Sequence, residues 1–267
     1  MNWSPEMDHS YWHKQTVDKP LYPDLLWSRP ENRALAGKLV VVGGNAHGFS
    51  AAAEAYSSAL KAGVGSVRVL LPDSLQATVG RVFETGEYAP STPSGSFSQK
   101  ALAEVLALAN WGNGLLLAGD FGHNSETAIL LESLLTKYSG QLTICGDALD
   151  YSVNKPQALL SRPSSLLVLD LTQLQKLATG AKFAKAFTST MDFLKIIELL
   201  HDFTIDHNLN IVLKHLDNIF VAVAGQVSTT KVKPISMVNF ATSCAVWWLQ
   251  TPSKTFEALS TSVLGDD

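Results

Sequence analysis

The chain has 267 residues, 46% of them hydrophobic and 16% charged, with a formal net charge of −4. That balance suits one large soluble α/β domain and gives no reason to expect nucleic acid or an anionic membrane as a partner. No apolar run is long enough for a membrane span, and Cys145 and Cys244 stand far apart without metal-ligand spacing, which predicts a reducing cytoplasm, with neither a disulfide framework nor a zinc site.

Residues 1–37 are broken by Pro5, Pro20, Pro23 and Pro30 and carry Trp3, Tyr11, Trp12, Tyr22 and Trp27. So many aromatics argue against a disordered leader. They predict an extended arm lying on its own domain or on a neighbouring subunit, with Trp12, Tyr22 and Trp27 at least partly buried. The start, MNWSPEMDHSYWHK, lacks the basic and then apolar pattern of a secretory signal. Residues 38–267 form the domain proper.

Its opening, residues 38–72, reads KLVVVGGNAHGFSAAAEAYSSALKAGVGSVRVLLP. Residues 39–42 are apolar and mostly β-branched, as in a strand covered on both faces. Gly43 and Gly44 allow a sharp turn. Ser50 is placed to cap an alanine-rich helix, Gly63 and Gly65 end it, and residues 67–71 give the next strand. This is a βαβ unit of a parallel sheet. Its glycine turn leads into a helix N-terminus, which suits an anion such as phosphate. Gly43 and Gly48 have part of the P-loop spacing, but Phe49 stands where a P-loop needs lysine, and no dinucleotide fingerprint follows Val42. On spacing alone, the glycines could equally serve only turn geometry and helix packing.

Residues 85–98 read as a surface loop. Further strands are predicted at 114–118, 142–145, 166–169, 211–214 and 219–224. Helices are predicted at 99–109, 126–138, 191–203, 239–249 and 255–263, with Ile129, Leu130 and Leu134 sharing the buried face of the second. Strand and helix alternation argues an open parallel sheet with helices on both faces. The turns after Val42, Ala118, Cys145 and Leu169 then share the C-terminal edge, where ligands bind in such sheets. Trp247 and Trp248 read as core or subunit interface.

The run from Gly43 resembles the opening of the ADP/ATP-dependent NAD(P)H-hydrate dehydratases, which are ribokinase-like. Their first unit has a Gly-Gly-Ser turn, then Gly-Tyr-x-Gly-Ala, then an alanine-rich helix ending Arg-Ala-Gly-Ala-Gly. Gly43-Gly44-Asn45, Gly48-Phe49-Ser50-Ala51 and Lys61-Ala62-Gly63-Val64-Gly65 occupy those places. The resemblance implies a ribokinase-like, mostly parallel α/β sheet. It also implies ADP or ATP as cofactor, with Mg, a small-molecule nucleotide ligand, and a homo-oligomer. The implied activity is dehydration of hydrated NADH or NADPH.

The resemblance nominates Gly43, Gly44, Asn45, Gly48, Gly122, Asp147 and Lys214 for nucleotide or substrate binding. Gly122, Glu126 and Thr127 match the family's Gly-Pro-Gly-Leu-Gly turn and the Glu-Thr after it; Ala118, Gly119 and Asp120 do not. Asp120 would repel a nearby phosphate, or is simply a turn residue. Asp147 matches the family's second aspartate in Asp-Ala-Asp-Ala-Leu-Asn, and either holds a ligand hydroxyl or a cation through water, or caps the short helix after it. The family's Leu-Thr-Pro-His-x-x-Glu is missing at residues 169–175, where Thr172 offers only a helix cap. Lys214 keeps the Val-Leu-Lys run, as a phosphate partner or a solvated strand-end lysine. The family's Gly-x-Gly-Asp threads onto Pro234-Ile235-Ser236-Met237, which retains neither glycine nor carboxylate. No confident catalytic residue remains, and Asp120 and Asp147 are the only substitutes nominated. The first reading is a divergent repair enzyme with impaired catalysis. The alternative is a non-catalytic nucleotide-binding or oligomeric scaffold. A small-molecule kinase, which most needs the missing aspartate, comes last.

Overall fold

The computed structural model describes residues 9–79, 83, 85–162 and 164–265; Trp3 lies outside them. Ten strands form one sheet: β1 (Trp12–Gln15), β2 (Lys38–Gly43), β3 (Ser66–Pro72), β4 (Gly86–Ala89), β5 (Gly114–Gly119), β6 (Gln141–Cys145), β7 (Ser165–Asp170), β8 (Asn210–His215), β9 (Asn218–Val223) and β10 (Gln226–Lys231). The helices are α1 (Pro23–Trp27), α2 (Ser50–Lys61), α3 (Gln76–Val79), α4 (Leu102–Trp111), α5 (Ser125–Lys137), α6 (Gln157–Leu160), α7 (Leu171–Gly180), α8 (Phe193–Asp206), α9 (Met237–Gln250) and α10 (Thr255–Ser262). The strand order is β1-β10-β9-β8-β7-β6-β5-β2-β3-β4. All neighbours are parallel except β8 with β9 and β9 with β10.

Both faces of the sheet are covered, so the central strands are apolar at successive positions. Val40, Val42, Leu115 and Leu117 face the layer containing α4, α5, α7 and α8. Leu39, Val41, Leu116 and Ala118 face the layer containing α2, α9 and α10. Alanines 52, 55 and 59 on α2 are fully buried, and these small residues let the helix lie close to the sheet.

Several expectations need correction. The segment 85–98 contains β4, which extends the sheet beyond β3. Residues 226–231 form a strand that the polar run Gln-Val-Ser-Thr-Thr-Lys hides. Its Ser228, Thr229 and Thr230 are buried because they find partners: Ser260, the Trp12 indole and the Gln15 amide. The arm contributes β1, which pairs in parallel with β10 on its own domain. Trp12 and Tyr22 are half-buried, but Trp27 is 88% exposed. Ile129 is 48% exposed, so the buried face of α5 is Leu130, Leu131, Leu134 and Leu135. The helix α7 lies outside the expected helix ranges, although the sequence offers Thr172 as a helix cap. Asp170 and Gln173 form a capping box at its start, so Asp170 rather than Thr172 is the cap. Trp247 and Trp248 are core.

Candidate functional site

Since β2, β5 and β6 are adjacent and parallel, their following turns meet at one edge. Gly43 abuts β5 so closely that a Cβ would lie 2.6 Å from the Gly119 carbonyl oxygen, and only glycine fits there. Gly44 has φ of +94° and donates its N–H to that same carbonyl at 3.0 Å. Asn45 closes the loop. Its side-chain oxygen accepts from the His47 N–H at 2.7 Å, and its amide donates to the Asp120 carbonyl at 2.7 Å. Gly48 has open space where a side chain would go, so nothing in the packing demands glycine there.

The helix N-terminus that the sequence marked for an anion already carries one. The Asp120 carboxylate accepts the Ala51 N–H at 2.8 Å and the Ser50 hydroxyl at 3.0 Å. Ser50 is therefore the first helical residue, and the cap comes from another loop rather than from Ser50 itself. Asp120 does this in the left-handed region, at φ of +58°, which aspartate tolerates better than most residues.

A second carboxylate sits on the neighbouring turn. Asp147 Oδ2 accepts the Gly122 N–H at 2.9 Å. Asp147 does not cap its own 3-10 helix, Gly146–Tyr151, which has no side-chain cap. Its Oδ1 is buried without a partner. Burial pushes the Asp147 carboxyl above its ordinary value, against the lowering pull of the Phe121 and Gly122 backbone, and Asp120 and Asp150 push it the same way as burial. The Tyr151 hydroxyl donates to the Gly122 carbonyl and accepts from the Asn124 N–H. Asn124 caps α5 through the Glu126 N–H at 2.8 Å. Glu126 and Thr127, both matches to the family pattern, anchor this turn to the preceding loop. Glu126 accepts from the Ser98 hydroxyl and Thr127 donates to the Phe97 carbonyl, each at 2.7 Å.

Farther along the edge, α9 begins at Met237. Ser236 is its N-cap and makes no side-chain capping bond. The Lys214 ammonium donates to the Ile235 carbonyl at 2.8 Å, so the lysine nominated for phosphate ties down the altered segment. Beside it opens a pocket of about 630 Å³, lined by Val17, Lys231, Pro234, Ile235, Phe240 and neighbouring residues. Among the described residues no three His, Cys, Asp or Glu side chains converge as a metal site.

No family model matches this chain, and no curated protein does. Solved structures do. A ribokinase-like superfamily protein from Enterococcus faecalis superposes with a TM-score of 0.68 at 15% identity, covering 97% of this chain and 87% of that one. The chain has the ribokinase-like fold. Two further neighbours carry named activities. The ADP/ATP-dependent NAD(P)H-hydrate dehydratase of Bacillus subtilis, co-crystallised with ATP and Mg²⁺, has a TM-score of 0.61 at 12% identity over 92% of this chain and 86% of its own. Phosphomethylpyrimidine kinase from Clostridium difficile has a TM-score of 0.53 at 8% identity, over 85% of this chain and 97% of its own.

The ribokinase-like sheet brings Gly43, Gly44, Asn45, Gly122, Asp120 and Asp147 together. It leaves Lys214 farther along, at the α9 start. Sequence reasoning missed Tyr151 and the capping role of Asp120, because both act across turns distant in the chain.

Proposed function

We propose that this chain is a non-catalytic relative of the ADP/ATP-dependent NAD(P)H-hydrate dehydratases, a divergent member in which nucleotide-dependent repair of hydrated NADH or NADPH has been lost. The observation that carries this is the α9 start, Pro234-Ile235-Ser236-Met237. A phosphoryl group at a helix N-terminus needs convergent N–H donors and, for proton abstraction, a carboxylate nearby. Pro234 has no N–H, and Met237 can neither accept a proton nor bind phosphate. These residues do not fit a reacting nucleotide. The same absence weighs most heavily against a small-molecule kinase.

A scaffold role without any nucleotide is the second reading, favoured by the Asp120 carboxylate already seated on the α2 N–H groups. A homo-oligomer and a cytoplasmic setting belong to the proposal, the latter supported by two buried free thiols. The test is phosphate release from ATP with Mg²⁺, with and without hydrated NADH. Release at the buffer rate is expected, and release stimulated by hydrated NADH contradicts the proposal.

A further inference from the structure

We propose that Asp120 is the built-in occupant of the anion position at the head of α2, and that it makes this part of the cleft refuse phosphate-bearing ligands. The proposal concerns binding at the β2–β5 edge and stands apart from the loss of turnover at α9.

Three observations carry it. First, the carboxylate makes the contacts a bound oxyanion would make, with the Ala51 N–H at 2.8 Å and the Ser50 hydroxyl at 3.0 Å. The helix behind it runs twelve residues, Ser50 to Lys61, so its dipole is well developed where Asp120 sits. Second, the carboxylate is held from both sides. The Asp120 carbonyl is pinned by the Asn45 amide at 2.7 Å, and the preceding Gly119 carbonyl by the Gly44 N–H at 3.0 Å. The loop that would have to open to admit a ligand is the loop that supplies the carboxylate. Its left-handed backbone, at φ of +58°, is kept despite the cost to a residue with a Cβ. Third, the next turn is filled in the same way. Asp147 sits on the Gly122 N–H at 2.9 Å, so both sets of turn donors already bear a carboxylate. An incoming phosphate would have to displace Asp120 from Ala51 and then remain close to both displaced and resident negative charge.

Asp120 is thus a specificity-determining residue, and ligands admitted here carry no anionic group at this turn. The test uses inorganic pyrophosphate, followed by calorimetric titration of the full chain at fixed ionic strength. Wild type is expected to show no saturable binding at millimolar pyrophosphate. Asp120→Gly keeps the left-handed backbone without strain and frees the donors, and is expected to bind pyrophosphate at least about tenfold more tightly than wild type. Asp120→Asn removes the charge but retains an acceptor for the Ala51 N–H, and is expected to gain less than the glycine variant. Asp120→Ala frees the same donors at the cost of strain in the left-handed backbone, and is expected to show the same gain once circular dichroism shows it folded. Wild type binding as tightly as the glycine variant, no gain in a folded Gly or Ala variant, or an equal gain in Asp120→Asn would each overturn the proposal.

Discussion

Removing the Arg162 guanidinium should destabilise the fold more than any surface substitution. Arg162 is 4% exposed. It donates to the carbonyls of Leu135, Tyr138 and Gly140 and to the Ser165 hydroxyl. Leu135 lies in the last turn of α5 and Tyr138 is its C-cap, where the carbonyls have no partner inside the helix. Its charge has no carboxylate partner among the described residues, and burial lowers its proton affinity while the ring of Tyr138 packs beneath it. Two good bonds from a charged donor contribute about 1.5–3 kcal/mol each, an upper bound of about 6 kcal/mol. Taking an unpaired guanidinium out of the interior offsets several kcal/mol of that. Arg162→Ala should therefore cost about 2–4 kcal/mol, read as a lower denaturation midpoint in urea, and lower the melting temperature by roughly 5–15 °C. Arg162→Lys keeps the charge but not the planar fork, and should recover less than half. A loss below about 0.5 kcal/mol in Arg162→Ala, the range of an ordinary surface change, would refute this account of the α5 terminus.

Asp147 predicts a pH effect with a definite sign. Its folded-state value lies above the ordinary 3.8, so between the two values the folded protein holds a proton the unfolded chain has released. The resulting stability is complete below the ordinary value and is lost as pH rises through the folded one. Asp147→Asn should flatten that stretch of the stability profile, and an unchanged slope would contradict the assignment. Trp27→Ser, at an 88% exposed position, should leave stability within about 0.5 kcal/mol of wild type. Trp12→Ser loses the Thr229 bond and the Phe193 edge contact and should cost about 2 kcal/mol; equal effects in a denaturation series would refute the placement of the arm. Burial pushes both thiols up, Cys244 to about 12, so neither should react with a thiol reagent until denaturant is added. Rapid labelling of native protein would show the core to be open there.

The elements legible in the sequence are those built from local signals. Residues 39–42, the alanines of α2 and the strand at Val67 announce themselves by composition and spacing, and the structure reproduces them within a residue or two. The helix α9 was legible from its apolar run, and it begins two residues before the expected 239. What stayed hidden depends on distant partners. The Ala51 N–H is capped by a residue 69 positions away, so no local rule could replace Ser50 with Asp120 as the cap. The strand at 226–231 is buried through hydroxyls whose partners lie in the arm and α10, and hydropathy reads such a run as loop. The helix α7 did have a local signal, the Asp170–Gln173 capping box.

The most direct test of the central claim is an absorbance assay for NADH regenerated from its hydrate with ADP or ATP and Mg²⁺. It should be run on wild type, Asp120→Ala and Asp147→Ala. Losing one oxyanion donor costs about 10²–10³ in rate, and losing a general base about 10²–10⁴. The account predicts that all three proteins leave the signal at the rate without protein. Robust nucleotide-dependent regeneration by wild type would contradict it, and loss of that signal in one variant would identify the carboxylate that had taken over the work of the missing aspartate.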